Sequence, residues 1–597
     1  MSGRLKRVAA GAKVQLYLTA KPAKPGAKNC GRRAWARRPA GQLGQPRLFL
    51  ALGLLLAHLL AGAGPARAAS PRSAALPAPI AVVAESALAA QAGIEVMKQG
   101  GNAVDAAVAT SLALGVARPA SCGIGGGGFM VIYLARTGRV YLLDYRERAP
   151  LRARPSLYLR GGKVEQALAR LGPLAVAVPG ELAGLEQARR RFGTMPFSAL
   201  AAPAAALARQ GVPIDRLLAR EIAIASAELR NDPYLAAKFL DATGAARNTG
   251  TVREAELAQT LLRLGDHPVE RFYRGRVGQA MVRYLRLRHG VMSRRDLRSY
   301  RPIWRRPLSL NYHDLTVYVP SPPSAAGVVL EMLGMLQGGE AAGLGLNSAP
   351  YLARLTAVIR QGFADRSYFG DPGFVSVPTE RLLSPAHLAE ARRRAFERRP
   401  PVPAAASEDH GTSNFIVADA AGNVVVVTTT INRFFGAKLA VPELGIILND
   451  EMDDFTLGEG GVNGKAADRA NRIAPGKRPR SSMTPTIVLK DGRPVLALGG
   501  SGGPTILTGV LQVFLDLVDF HLAPAQAVAS PRIFEFPGSP VVAVESGIPA
   551  STAQELGRMG YEIGTPWFTG AVEALRISPA KLEGAVDPRK GGATLVR

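Results

Sequence analysis

Residues 408–436, EDHGTSNFIVADAAGNVVVVTTTINRFFG, restrict the fold more than any other part of the chain. They hold two β-prone runs, 413–419 and 424–431, joined by Ala421-Gly422-Asn423, residue types that suit a hairpin turn. Successive strand side chains point to opposite faces, so Thr428, Thr430 and Asn432 share one face of the second strand. Thr412 stands at the leading edge of the first strand, directly after Gly411. On pattern alone, this polarity is what the edge of an ordinary hairpin carries.

The rest of the chain from about Ile80 alternates helical and strand-like runs without a low-complexity break or an internal repeat. Residues 86–116 read as two Ala-rich helices separated by Gly100-Gly101, and 125–145 as a hairpin turning at Thr137-Gly138. Residues 163–300 are mainly helical; after Pro401 short β-branched strands take over. The expectation is one α+β body in two parts, with a composition break near residue 405. Two cysteines, Cys30 and Cys122, exclude a disulfide framework.

The N-terminus reads as an address. Residues 48–60, LFLALGLLLAHLL, are apolar but shorter than the ~20 residues a membrane-spanning helix needs. Basic residues precede them, and Ala66-Arg67-Ala68 follows, the layout of a secretory signal peptide cut after Ala68. The expected product is periplasmic or secreted, with no stable membrane span once the leader is removed. The leader also bears on the net charge of +28: residues 1–68 carry 13 of the 74 Lys and Arg and no Asp or Glu. The remaining excess is scattered Arg with no aromatic interleaving, which argues against a nucleic-acid partner.

Three other signals are weaker. Gly123, Gly125 and Gly128 match G-x-G-x-x-G, but a dinucleotide fingerprint needs a helix next, and the β-prone FMVIYL follows instead. GGSGG at 499–503 sits between a strand-like and a helix-like run, as a nucleophile elbow does. Its triad would depend on His521, at the end of that same helix, with no room between for an acid-bearing loop. The seven histidines show no metal-ligand spacing, so neither a catalytic metal nor a cofactor is expected.

In order along the chain stand GGNAVDAAVA, GGGGFMVIY, LDYRERAP, AVPGELAG, PSPPSAAG, ADRSYFGDP, GTSNFIVAD, TTTINRFFG, LNDEMDDF, KRPRSSMTPTIV, GGSGG and VDPRKGGA. Together they resemble the γ-glutamyltransferases (γ-glutamyl transpeptidase/glutathione hydrolase), N-terminal-nucleophile hydrolases made as one chain, from about residue 80 to the C-terminus. The resemblance implies a four-layer αββα sandwich and cleavage between Gly411 and Thr412. A large subunit, 69–411, and a small one, 412–597, would then form a heterodimer. Thr412 would be the nucleophile, with its freed α-amine as general base, and Thr430 would orient it. Gly502 and Gly503 would form the oxyanion hole. Arg146, Ser481 and Ser482 would bind the substrate α-carboxylate, and Asn432, Glu451 and Asp454 its α-ammonium group. The implied substrates are γ-glutamyl amides such as glutathione, with water, amino acids or peptides as acceptors.

Departures from the family pattern concern the substrate more than the chemistry. Asn414 stands where the family commonly has histidine, Arg433-Phe434-Phe435 could narrow the pocket, and residues 456–471 lack the tyrosine of a lid. The rival readings are a related acylase, of cephalosporin-acylase or poly-γ-glutamate-processing type, and an unprocessed binding protein.

Overall fold

The long hairpin forms where its composition places it, as strands Gly411–Ala418 and Val424–Asn432 in a computed structural model of the chain. Asp419 accepts the backbone N–H groups of Ala421 and Asn423, and Gly422 takes a φ of 82°, which closes the turn. The structure describes residues 79–338, 340–397, 411–458, 466–535, 541–566 and 568–597. The expected leader with Cys30, the composition break near 405 and His410 lie outside them.

The hairpin occupies the centre of an antiparallel seven-stranded sheet. The order is Ala593–Val596, Ala81–Ala84, Gly411–Ala418, Val424–Asn432, Gly127–Leu134, Arg139–Asp144 and Ile303–Arg305. A second, six-stranded antiparallel sheet runs Leu582–Ala585, Ala571–Ile577, Arg493–Ser501, Thr486–Lys490, Leu315–Val319 and Leu308–Tyr312. Each sheet therefore contains strands from both sides of residue 411. The two parts expected from composition share their sheets: strand Gly411–Ala418 pairs with Ala81–Ala84 on one side, and strand Val424–Asn432 pairs with Gly127–Leu134 on the other.

Period-two alternation divides the first sheet between two cores. Phe415, Val417, Val425, Val427, Met130 and Ile132 pack with helices Ala87–Lys98 and Ala103–Ala117 on one face. Ile416, Val424, Val426, Phe129 and Val131 face Ile487, Leu496, Leu498 and Val572 of the second sheet. Helices Gly327–Leu336, Ala349–Asp365 and Thr505–Val518 cover that sheet's far side. The result is the expected αββα order.

Local sequence explains how the layers are pinned. In GGNAVDAAVA, Asn102 accepts the N–H groups of Val104 and Asp105, and Asp105 accepts that of Asn102, a capping box at the start of the wholly buried helix Ala103–Ala117. The 125–128 glycine run, rejected as a dinucleotide loop, instead allows backbone contact: a Cβ on Gly126 would lie 1.9 Å from the carbonyl oxygen of Thr430.

Candidate active site

At the head of the central hairpin, Gly411 pairs with Asn432 and Ser413 with Thr429, so the register slips at Thr412. Such an irregularity re-aims a side chain, and here it brings Thr412 to Thr430. The Thr412 hydroxyl donates to the Gly411 carbonyl oxygen at 2.7 Å, and the two threonine Oγ1 atoms are 3.3 Å apart. Thr430 donates to the same carbonyl at 2.7 Å and accepts the Asn432 N–H at 2.8 Å, which leaves its own proton for the carbonyl. Asn432 holds a φ of 74°, a conformation asparagine tolerates better than most side chains. All four residues are buried. Asn414, two residues on, accepts from Thr428 at 2.8 Å in the space between the sheets.

The charged residues gather next to this pair. Asn432 Nδ2 donates to the Asp450 carbonyl at 3.2 Å, and Glu451 follows in the short helix Glu451–Asp454. Arg146 donates from one nitrogen to Glu451 and from the other to Asp454, and to the carbonyls of Pro479 at 3.4 Å and Arg480 at 3.1 Å. Burial alone would lower the pKa of Arg146, but Glu451, Asp454 and Glu147 outweigh it and raise it. Burial pushes the carboxyls of Glu147 and Glu451 up against the opposing pull of Arg146. The cation and the acids assigned to opposite ends of a substrate head thus pair with each other here.

Ser482 Oγ accepts from Arg366 at 2.8 Å, and Ser481 Oγ accepts the Met483 N–H at 3.1 Å. Gly502 and Gly503, at φ of 126° and 61°, turn the chain from strand Arg493–Ser501 into helix Thr505–Val518. A Cβ on Gly502 would stand 2.6 Å from both Phe568 and Thr505. The strand packs tightly on the hairpin, since a Cβ on Gly499 would lie 2.1 Å from Asn414 Oδ1. Ser501 donates to Glu85 at 2.7 Å, and among the described residues no histidine bonds to it. The nucleophile-elbow reading therefore lacks its base.

Other expectations need correcting. Phe434 and Phe435 do not narrow a pocket: they enter a small core with Ile222, Leu229 and Phe239, and the Phe239 and Phe435 rings lie 4.7 Å apart. Arg433 is held by Asp453 at 2.8 Å, and against the upward push of partial burial it draws Asp453, with Arg170, below the usual carboxylate range. Of the expected lid segment, residues 459–465 lie outside the described residues; Thr456 bridges to Arg472 beside them.

Sequence reasoning passed over Glu147, whose Oε2 would lie 2.9 Å from a Cβ on Gly127, directly beside Thr430 in the sheet. It also passed over Arg366, Glu85 and Lys590. Glu147, Arg366 and Lys590 lie in the quoted segments LDYRERAP, ADRSYFGDP and VDPRKGGA, but nothing in the spacing shows which charged neighbour turns inward. Glu331, Asp365 and His387 meet from three helices within 4.8 Å, a donor set that sequence spacing hides and that could hold a cation.

Residues 89–596 match the protein family Gamma-glutamyltranspeptidase. A glutathione hydrolase proenzyme of Pseudomonas aeruginosa is 37% identical over 571 residues, covering 92% of this chain and 99% of its own. One from Escherichia coli is 33% identical, covering 84% and 88%. The crystal structure of a cephalosporin acylase from Bacillus halodurans superimposes with a TM-score of 0.77 at 27% identity, covering 88% of this chain and 98% of its own. Threonines paired across the central hairpin, a buried arginine among carboxylates and a match through both sheets lead to one assignment: the chain belongs to the gamma-glutamyltranspeptidase family.

Proposed function

We propose that this protein is an autoprocessed γ-glutamyltransferase and glutathione hydrolase. It cleaves γ-glutamyl amide bonds through a threonine ester and passes the acyl group to water or to an amino-acid or peptide amine. The observation that carries the reading is the meeting of Thr412 and Thr430 on the Gly411 carbonyl, next to Arg146 bonded to Glu451 and Asp454.

In maturation, Thr412 Oγ adds to the Gly411 carbonyl carbon while the Thr430 hydroxyl stabilises the developing charge on its oxygen. The Gly411–Thr412 C–N bond breaks as its nitrogen takes a proton, leaving an ester on Thr412 Oγ. Water hydrolyses that ester, giving a Gly411 carboxylate and a free Thr412 α-amine. The products are a large chain, 69–411 after removal of the leader, and a small chain, 412–597, which stay together because their strands share both sheets. The α-amine has an ordinary pKa of ~7.7–8.0, so it can accept a proton near neutral pH. It takes the Thr412 hydroxyl proton as Oγ attacks the γ-glutamyl carbonyl and returns it to the leaving amine. The N–H groups of Gly502 and Gly503 receive the oxyanion.

Arg146, with Ser481 and Ser482, takes the substrate α-carboxylate, and Asn432, Glu451 and Asp454 take its α-ammonium. Because the site's own charges already pair, a zwitterionic head replaces one ion pair by two and leaves the balance intact. A glutaryl group, carrying the carboxylate without the ammonium, adds a negative charge beside Glu147, Glu451 and Asp454. That favours γ-glutamyl amides over the acylase alternative. Kinetics on γ-glutamyl and glutaryl anilides test it: kcat/KM should favour the γ-glutamyl donor at least tenfold, about 1.4 kcal/mol, and equal or reversed preference refutes it. Export to the periplasm by the N-terminal leader belongs to the same proposal; among the described residues no helix is long and apolar enough to cross a membrane.

A further inference from the structure

The carbonyl of Thr412 is held by a buried lysine that the mechanism above does not use. Lys590 Nζ donates to the Thr412 carbonyl oxygen at 2.5 Å and to Glu85 Oε2 at 3.1 Å. The other Glu85 oxygen accepts from Ser501 at 2.7 Å, and Ser501 directly precedes the Gly502-Gly503 turn. Lys590, Glu85 and Ser501 are all buried. Lys590 does not hang on a loose tail: Asp587 in the same turn accepts the N–H of Val572, from the second sheet, at 3.0 Å and pairs with Arg532 at 2.8 Å.

We infer that Lys590 and Glu85 are a positioning pair, which ties the Thr412 backbone to the oxyanion turn and sets a positive charge beside the amine that processing frees. The inference rests on Thr412 being the nucleophile. Two consequences are separable. The hydrogen bonds Thr412–Lys590–Glu85–Ser501 fix the distance between nucleophile and oxyanion donors, on which rate depends steeply. The lysine cation disfavours protonation of the Thr412 amine, so more of it is neutral and able to accept a proton; the Glu85 anion acts in the opposite direction.

Among the described residues, several charged or titratable groups face the pair, the buried thiol of Cys122 among them. Asp587 comes from the lysine's own turn, Glu573 from strand Ala571–Ile577, Glu221 from helix Arg216–Leu229, and Arg118 from the end of helix Ala103–Ala117. Burial raises Glu573 far above the carboxylate range. Arg118 donates to the Glu85 carbonyl at 2.9 Å and bonds Asp215. Glu221, which burial pushes up to about 7, changes charge within the range of an activity assay, so a Glu221→Gln background removes that titration.

The test compares Lys590→Met and Glu85→Gln in that background, using protein shown by intact mass to be processed, with a γ-glutamyl anilide as donor. Loss of the cation should move the acid limb of the kcat–pH profile up by about one unit, and loss of the anion should move it down. KM should stay within about twofold in both, and kcat at the plateau should fall. A merely structural pair would not move the limb in opposite directions. Limbs that stay in place, or that move the same way, overturn the inference. Should Lys590→Met fail to mature, Glu85→Gln alone decides, since the charge argument requires its limb to fall. A parent protein that matures but cleaves no γ-glutamyl amide overturns the functional reading itself, a result distinct from unmoved limbs in an active enzyme.

Discussion

Replacing Thr430 by valine keeps the side chain's volume and removes a hydroxyl that serves two partners. Thr430 donates to the Gly411 carbonyl at 2.7 Å and accepts the Asn432 N–H at 2.8 Å, in a site where its own exposure is 3%. Valine leaves that N–H buried without an acceptor, at a cost of about 1–3 kcal/mol in stability. The larger effect falls on the cleavage step, because the lost donor points at the oxygen on which charge develops. Removing one such donor typically slows a reaction ~10²–10³-fold, or about 2.7–4 kcal/mol in the barrier. Purified Thr430→Val precursor, followed by gel and mass spectrometry, should convert to two chains at least a hundredfold more slowly than the parent, and Thr430→Ser should recover most of the rate. A Thr430→Val protein that processes within threefold of the parent, with its melting temperature lowered, would show that the hydroxyl is structural and refute the argument.

Three further outcomes follow from the geometry. Ser501→Ala should still cleave at Thr412, since Ser501 touches Glu85 and not the reacting carbonyl; loss of cleavage would revive the nucleophile-elbow reading. Arg146→Lys loses the forked contact to Glu451 and Asp454 and should raise KM for the γ-glutamyl donor at least tenfold, while processing, which does not use Arg146, proceeds at the parent rate. Glu254, fully buried, is pushed up to about 8, chiefly by burial. A carboxyl that holds its proton more tightly when folded costs nothing below its unfolded pKa and destabilises progressively as pH rises to the folded value. Glu254→Gln should therefore raise the melting temperature little near pH 4.5 and increasingly up to about pH 8; a constant offset across that range would contradict the assignment.

Much of this architecture was legible because local pattern and fold agree. The hairpin showed in its β-branched runs and Ala-Gly-Asn turn, and the helices Ala87–Lys98 and Ala103–Ala117 in Ala-rich runs separated by Gly100-Gly101. What remained hidden depends on contacts between distant segments. Composition could not show that strands on both sides of residue 411 interleave, because backbone pairing carries no residue code of its own. The strand ends at Gly411 and Asn432 extended past the sequence boundaries, since the register slip at Thr412 and the positive φ of Asn432 are tertiary consequences. Arg433-Phe434-Phe435 looked like pocket residues by proximity to Asn432, yet the tight turn sends the rings into a separate core. Glu85 and Lys590 stand 505 residues apart, and only the folded sheet brings them together on Thr412.

Everything proposed for this protein depends on cleavage before Thr412, and an intact mass spectrum of the purified chain tests that most directly. The account predicts two polypeptides, the smaller beginning at Thr412 and ending at Arg597, and a single uncleaved chain for Thr412→Ala under the same conditions. A single uncleaved chain from the parent protein, or a new N-terminus at any other residue, would contradict it.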